Sequence, residues 1–140
     1  MTGKNGKEFH NNYPTPLSFY NKLNEEFNFD FDPCPLNHDI SEWDGLKIEW
    51  GKSNFVNPPY DRKNKEAFVL KGIEEHKKGK TVVFLLPVST STKLFHEHIL
   101  PNNPEIRFLK GRLKFSNNKA GSFDSMIVIF SHEDTDSFTS

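Results

Sequence analysis

Ser53-Asn-Phe-Val-Asn-Pro-Pro-Tyr60 is the stretch on which the fold turns. Its first four residues read as a short strand, and Pro58 and Pro59, which lack amide hydrogens, cannot extend a ladder beyond Asn57. Downstream, the segment from about Lys65 to Lys78 reads as a helix closed by Gly79, and Thr81-Val-Val-Phe-Leu-Leu86 is an apolar run of strand length. Strand, helix, strand in that order makes a βαβ unit. Upstream, Thr15-Pro16 is a helix opening: the hydroxyl accepts from orphan amides, and proline needs no amide at the first helical position. Leu17, Tyr20, Leu23 and Phe27 then recur near helical spacing. Phe27-Asn-Phe-Asp-Phe-Asp32 alternates apolar and polar with the period of a strand, stopped by Pro33 and Pro35. Toward the other end, Ser91–Leu100 reads as a helix, and Glu105–Leu109 and Met126–Phe130 as strands. This alternation predicts an α/β fold, a compact three-layer αβα sandwich around a mostly parallel sheet, with ligands bound beyond the carboxyl ends of the strands. The short link between the last two strands leaves open an antiparallel edge pair.

Composition bounds what such a chain does. Its 140 residues suit one domain, with polar, flexible ends at about Met1–Asn12 and His132–Ser140. Hydrophobic residues make up 34% and charged residues 26%, so the chain is polar, but 14 phenylalanines argue against disorder. The longest apolar run, around Val82–Val88, is far short of the roughly 20 residues that cross a bilayer, which predicts a cytoplasmic protein without membrane contact. A single cysteine, Cys34, excludes a disulfide scaffold and a multi-thiolate zinc cage. The net charge of −1 conceals polarity along the chain: Asn57–Lys119 carries 13 basic against 6 acidic residues. Such a segment attracts a polyanion, although basic residues on a helix also serve as a solvated face.

Asn57-Pro58-Pro59-Tyr60 carries the chemistry. Two prolines stiffen the loop and leave its carbonyl oxygens available as acceptors, the asparagine oxygen adds another, and the tyrosine brings a flat face. An acceptor pair beside a stacking platform suits a planar ring with an exocyclic NH2, whose lone pair it turns toward an electrophile without a strong base. A diproline turn at a strand end has the same sequence without that role. Four specified residues recur by chance in a chain of this length with a probability of about one in a thousand, which favours function. His96 and His98, two positions apart on a helix, point to nearly opposite sides, so no metal site is expected. Ser89-Thr90-Ser91-Thr92 lacks a base and an orienting acid, and reads as helix capping rather than as a nucleophile.

In this order, Thr15-Pro16, Phe29-Asp-Phe-Asp32-Pro33-Cys34, Asp44-Gly45-Leu46 with Trp50, Asn57-Pro58-Pro59-Tyr60, Leu86-Pro87, Gly111-Arg112-Leu113-Lys114-Phe115 and Ser125–Phe130 resemble the phage-type Dam DNA N6-adenine methyltransferases. The resemblance spans about Tyr13 to Phe130 and implies a truncated class I, Rossmann-like methyltransferase fold. It implies S-adenosylmethionine as cofactor and DNA as partner, with a methyl group transferred directly to the amine of a flipped adenine. In it, Asn57 and the Pro58 carbonyl accept from that amine and Tyr60 stacks on the base. Thr15, Pro16, Asp32, Pro33 and Asp44 fall where the family contacts its cofactor. Related enzymes cradle the methionine part in a glycine-rich loop, and here Asp32-Pro33-Cys34-Pro35 stands in that place.

Arg112 and Lys114 alternate with Leu113 and Phe115, so on an extended segment they share a face and read as DNA contacts, as do Lys63 and Lys65 beside the loop. Two further readings stay open: an inactive nucleic-acid-binding module of the same fold, and a methyltransferase acting on cytosine, RNA or a protein glutamine. The residues are compatible with a monomer or a homodimer.

Overall fold

Two strands carry most of the sheet because they are apolar at nearly every position. The computed structural model describes residues 14–35, 44–113 and 124–132. Among these, α1 spans Leu17–Phe27, β1 Ser53–Val56, α2 Arg62–Lys77, β2 Thr81–Pro87, β3 Glu105–Phe108 and β4 Ser125–Phe130. A π-helical turn at Leu94–Ile99 and a 3-10 turn at Leu100–Asn102 stand where one α-helix over Ser91–Leu100 is expected. The expected capping appears here: Thr92 Oγ1 accepts from the Phe95 amide at 3.2 Å. Helix α2 begins three residues earlier than the apolar pattern suggests, because the Asp61 carboxylate caps it by accepting from the Asn64 amide.

The strands are ordered β1-β2-β4-β3. Only β1 and β2 pair in parallel; β4 is antiparallel to both β2 and β3. The sheet is therefore mixed, with two of its three pairings antiparallel, which corrects the expectation of a mostly parallel one. The strand responsible is β4: its six buried positions put it in the interior, between the β2 core strand and the half-exposed edge strand β3, and there it runs against both neighbours. The antiparallel pairing of the last two strands is as the alternative reading had it. Because β4 opposes both neighbours, β1, β2 and β3 point the same way, and Asn57, Val88 and Leu109 all leave the sheet along one edge.

The strand period sorts the core into two layers. Val56, Val82, Phe84, Leu86, Met126, Val128 and Phe130 face α2 and the π-helical turn, whose Phe68, Val69, Ile73, Phe95 and Ile99 complete one cluster. Phe55, Val83, Leu85, Ile127 and Ile129 face α1, which contributes Leu23 with Phe19, Tyr20 and Phe27. Each fully buried aliphatic side chain contributes about 1.5–3 kcal/mol, so these stripes dominate the stability. Gly72 has a specific duty, since a side chain there would run into the Phe84 ring and push α2 off the sheet.

The predicted strand over Phe27–Asp32 is mostly replaced by other bonding. Helix α1 keeps Phe27, Asn28 turns in the left-handed region at φ 50°, and Asn24 Oδ1 accepts from the Phe29 amide at 2.8 Å. What remains is one parallel bridge, Phe31 beside Asn54 of β1. Even so, Asp32 and Asn57 emerge at the same edge.

Candidate active site

Along that edge emerge the Asp32-Pro33 turn and the loop Asn57–Tyr60, and the Asp44-Gly45-Leu46 turn packs against the first of them. Each is held by polar contacts that its own residues dictate. Asp32 Oδ1 accepts from the Cys34 amide at 2.8 Å, the bond an aspartate before a proline turn makes to the backbone two residues on. Asp44 Oδ1 does the same with the Leu46 amide at 2.9 Å, and the Asp44 carbonyl accepts from Lys47 N at 2.9 Å. The two turns touch at Gly45: a side chain there would overlap the Pro33 carbonyl and come within 3.2 Å of Phe68 Cε1. Glycine is what lets Asp44 stand against Asp32-Pro33. Trp50 secures the contact from behind, its Nε1 donating to the Gly45 carbonyl at 2.7 Å.

Trp50 is in turn fixed by Glu75, a fully buried carboxylate. Glu75 accepts from the Trp50 amide at 3.2 Å and from Lys80, and pairs with Lys71 and Lys78 at 3.1 Å each. Burial pushes its carboxyl up, but the hydrogen bonds from the three lysines and the Trp50 amide win and hold it down at about 2.

Asn57 leaves β1 half-buried, with Pro58 buried behind it. Its Nδ2 donates to Thr15 Oγ1 at 3.0 Å, and its Oδ1 is buried. This contact joins residues far apart in sequence and overturns the reading of Thr15 as a cap for α1. The N-cap position is Pro16, without a side-chain cap hydrogen bond. Tyr60 is half-buried against the α1-side core, and its hydroxyl donates to the Leu85 carbonyl at 3.1 Å, which pins the ring at the sheet edge. Tyr20 of α1, which the sequence offers only as part of the helix's apolar stripe, lies close enough to Asp32 that burial and then that carboxylate push its hydroxyl up. Burial, and again Asp32, push the Cys34 thiol up to about 12.

Thr15 and Pro16 are thus brought to Asn57, and Asp32, Pro33 and Asp44 to one another, at one edge. The cations are more dispersed. Lys63 is exposed on the first turn of α2, and Lys65 is half-buried there, its ammonium pushed down by desolvation against the pull of Asp61. Arg112 is exposed and stands 3.7 Å from Asp124. With Phe19, Leu109, Lys110, Gly111 and Leu113 it lines a shallow groove of about 240 Å³. Lys110 had no sequence signal beyond its charge. Lys114, the two chain ends beyond His132 and before Pro14, and the segment 36–43 lie outside the described residues. Among the described residues no helix is long and apolar enough to cross a membrane.

Against known proteins, the chain matches the family described as DNA N-6-adenine-methyltransferase (Dam) over residues 3–133. It is 34% identical over 134 residues to the DNA N-6-adenine-methyltransferase of Haemophilus phage HP1 (strain HP1c1), covering 86% of this chain and 76% of that protein. No solved structure matches it.

Proposed function

Since this chain belongs to the DNA N-6-adenine-methyltransferase (Dam) family, we propose that it methylates the exocyclic amine of adenine in DNA with S-adenosylmethionine as donor. The observation that carries the proposal is the sheet edge from which Asn57-Pro58-Pro59-Tyr60 and the Asp32 turn both emerge, with the Asp44 turn packed on the latter. In this reading Asn57 Oδ1 and the Pro58 carbonyl accept the two hydrogens of the amine and turn its lone pair toward the Asp32 turn. The Tyr60 ring supports the base on its face, a contact worth about 1–3 kcal/mol per stacked base. A stem pinned through Leu85 gives that platform little freedom to lose on binding.

The donor set suits the cofactor's chemistry. A carboxylate at Asp32 favours a cation in front of it, as an ammonium and a sulfonium are, and Asp44 suits hydroxyl or amine donors. Pro33 and the Gly45 backbone form the wall between them. S-adenosylmethionine, when bound, supplies an electrophilic methyl group. The chain itself supplies position: the acceptor corner and the acidic turns share one sheet edge, and good orientation of two reactants is worth about 7–11 kcal/mol of barrier. Taking the base out of its stack costs a few kcal/mol, and in this reading Lys63, Lys65 and Arg112 hold flanking phosphates while it happens. The class I, Rossmann-like assignment and the single-domain organisation belong to the same proposal.

The test is direct. Purified protein, labelled S-adenosylmethionine and adenine-containing DNA should yield N6-methyladenine on nucleoside analysis, and Asn57→Ala should reduce it to a small residual rate. A methylated cytosine, RNA or protein glutamine instead of adenine replaces the substrate, and an absence of cofactor binding by calorimetry replaces the enzyme with a binding module. Association with DNA should weaken steeply with salt, and a flat response refutes the phosphate contacts.

A further inference from the structure

We infer that Thr15 is a positioning residue for methyl transfer, acting through the Asn57 amide rather than on the cofactor. The inference rests on the proposed role of Asn57 and adds what holds that side chain in place.

An asparagine beyond a strand end has two rotatable bonds and an amide with a donor end and an acceptor end of nearly equal size. Accepting from a target amine requires the oxygen to face it, because an NH2 there would set donor against donor. In this chain Nδ2 donates to Thr15 Oγ1 at 3.0 Å, which turns the nitrogen toward the start of α1 and sets Oδ1 on the opposite side of the amide. The hydroxyl that does this is diverted from its ordinary use. A threonine before proline at a helix start would cap the helix, yet the cap position is Pro16, which makes no side-chain cap hydrogen bond. The helix begins instead with a backbone bond, Tyr20 N to the Pro16 carbonyl at 3.0 Å.

Thr15 is also anchored well enough to act as a reference point. Helix α1, which starts two residues later, lies on the sheet through Leu23, Phe19 and Tyr20, and the Tyr20 ring meets Phe55 of β1 edge-on with centroids 5.2 Å apart. Phe55 is two residues before Asn57. Both ends of the Thr15–Asn57 bond therefore hang from the same packed pair of elements, and the bond closes a small, rigid loop of contacts between them.

Three variants test this: Thr15→Val, which keeps the shape and removes the hydroxyl, Thr15→Ser, which keeps the hydroxyl, and Asn57→Ala. With DNA and cofactor saturating, Thr15→Val should lower kcat about tenfold, the worth of one positioning hydrogen bond. Its affinity for S-adenosylmethionine by calorimetry should stay at the wild-type value, its urea midpoint should fall only slightly, as for the loss of one part-buried hydrogen bond, and Thr15→Ser should recover most of the rate. Added to Asn57→Ala, Thr15→Val should cost nothing further. Independently of activity, the side-chain NH2 of Asn57 should show slowed hydrogen exchange by NMR in the wild type and Thr15→Ser, and fast exchange in Thr15→Val. A Thr15→Val that loses cofactor affinity at full kcat overturns the inference, as does a Thr15→Ser as slow as Thr15→Val. If wild-type protein methylates no DNA, the proposed function fails, and the exchange measurement still decides this inference: an unprotected Asn57 amide refutes it.

Discussion

Glu75→Gln removes a charge that is tied to the Asp32-Pro33 turn by a traceable chain of contacts. Glu75 holds the Trp50 amide, Trp50 Nε1 holds the Gly45 carbonyl, and Gly45 lies against Pro33. The magnitude follows from its carboxyl, which lies at about 2 against an ordinary 4.5. Because the folded value is depressed, the unfolded chain binds the proton more tightly, and ionisation of Glu75 stabilises the fold above 4.5. A displacement of this size corresponds to about 3 kcal/mol at neutral pH, similar to the cost of breaking a buried ion pair by deleting one partner. Glutamine keeps the shape and leaves Lys71, Lys78 and Lys80 around a neutral amide. The variant should therefore be less stable than wild type by about 3 kcal/mol at pH 7.

The decisive assay is urea unfolding of both proteins at a series of pH values. As pH falls from about 4.5 toward about 2, wild-type Glu75 takes up its proton and loses what the variant never had, so the two midpoints should converge. His76, whose imidazole is pushed down chiefly by burial, destabilises both proteins in acid and cancels in the comparison. A midpoint difference that stays constant from pH 7 down to pH 3 refutes the reasoning, because it would assign the cost to lost shape rather than to charge.

Three further outcomes follow from the site. Gly45→Ala should destabilise the fold by about 1–3 kcal/mol by forcing a side chain into the Pro33 carbonyl, and should weaken S-adenosylmethionine binding in calorimetry more than it weakens DNA binding in a filter assay. Tyr60→Phe, which loses one hydrogen bond to Leu85, should cost about 1 kcal/mol in urea unfolding and retain activity, whereas Tyr60→Ala, lacking the flat face, should lose about 5- to 150-fold in kcat/KM. Cys34, its thiol pushed up to about 12 by burial and by Asp32, should resist a disulfide reagent at pH 8 in the folded protein and react once urea is added; prompt reaction of the folded protein contradicts the packing.

What was legible in the sequence divides along physical lines. Thr81–Leu86 and Met126–Phe130 declare themselves because a continuous apolar run has few soluble alternatives to an interior strand, and Asn57-Pro58-Pro59-Tyr60 because proline's covalent geometry is local. The direction of β4 was not legible, since pairing sense depends on which neighbours an apolar strand finds, and the same six residues would satisfy either ladder. The Phe27–Asp32 alternation has the period of a strand but keeps only one bridge of a ladder. Asp30 Oδ1 accepts from the Ser53 amide at 3.1 Å and Asn24 holds Phe29, so side chains took backbone partners that a longer strand would have used. Thr15 is the same lesson at the site. A hydroxyl before Pro16 has two good uses, capping the helix or holding a distant amide, and local sequence favours the first. Only the packing of α1 on β1, a long-range fact carried by Tyr20 and Phe55, brings Asn57 within reach and decides for the second. Residues whose roles are set by their own covalent chemistry can be read in one dimension, and residues whose polar groups have a choice of partner cannot. Pro33 and Pro58 are of the first kind, and Thr15, Gly45 and Glu75 are of the second.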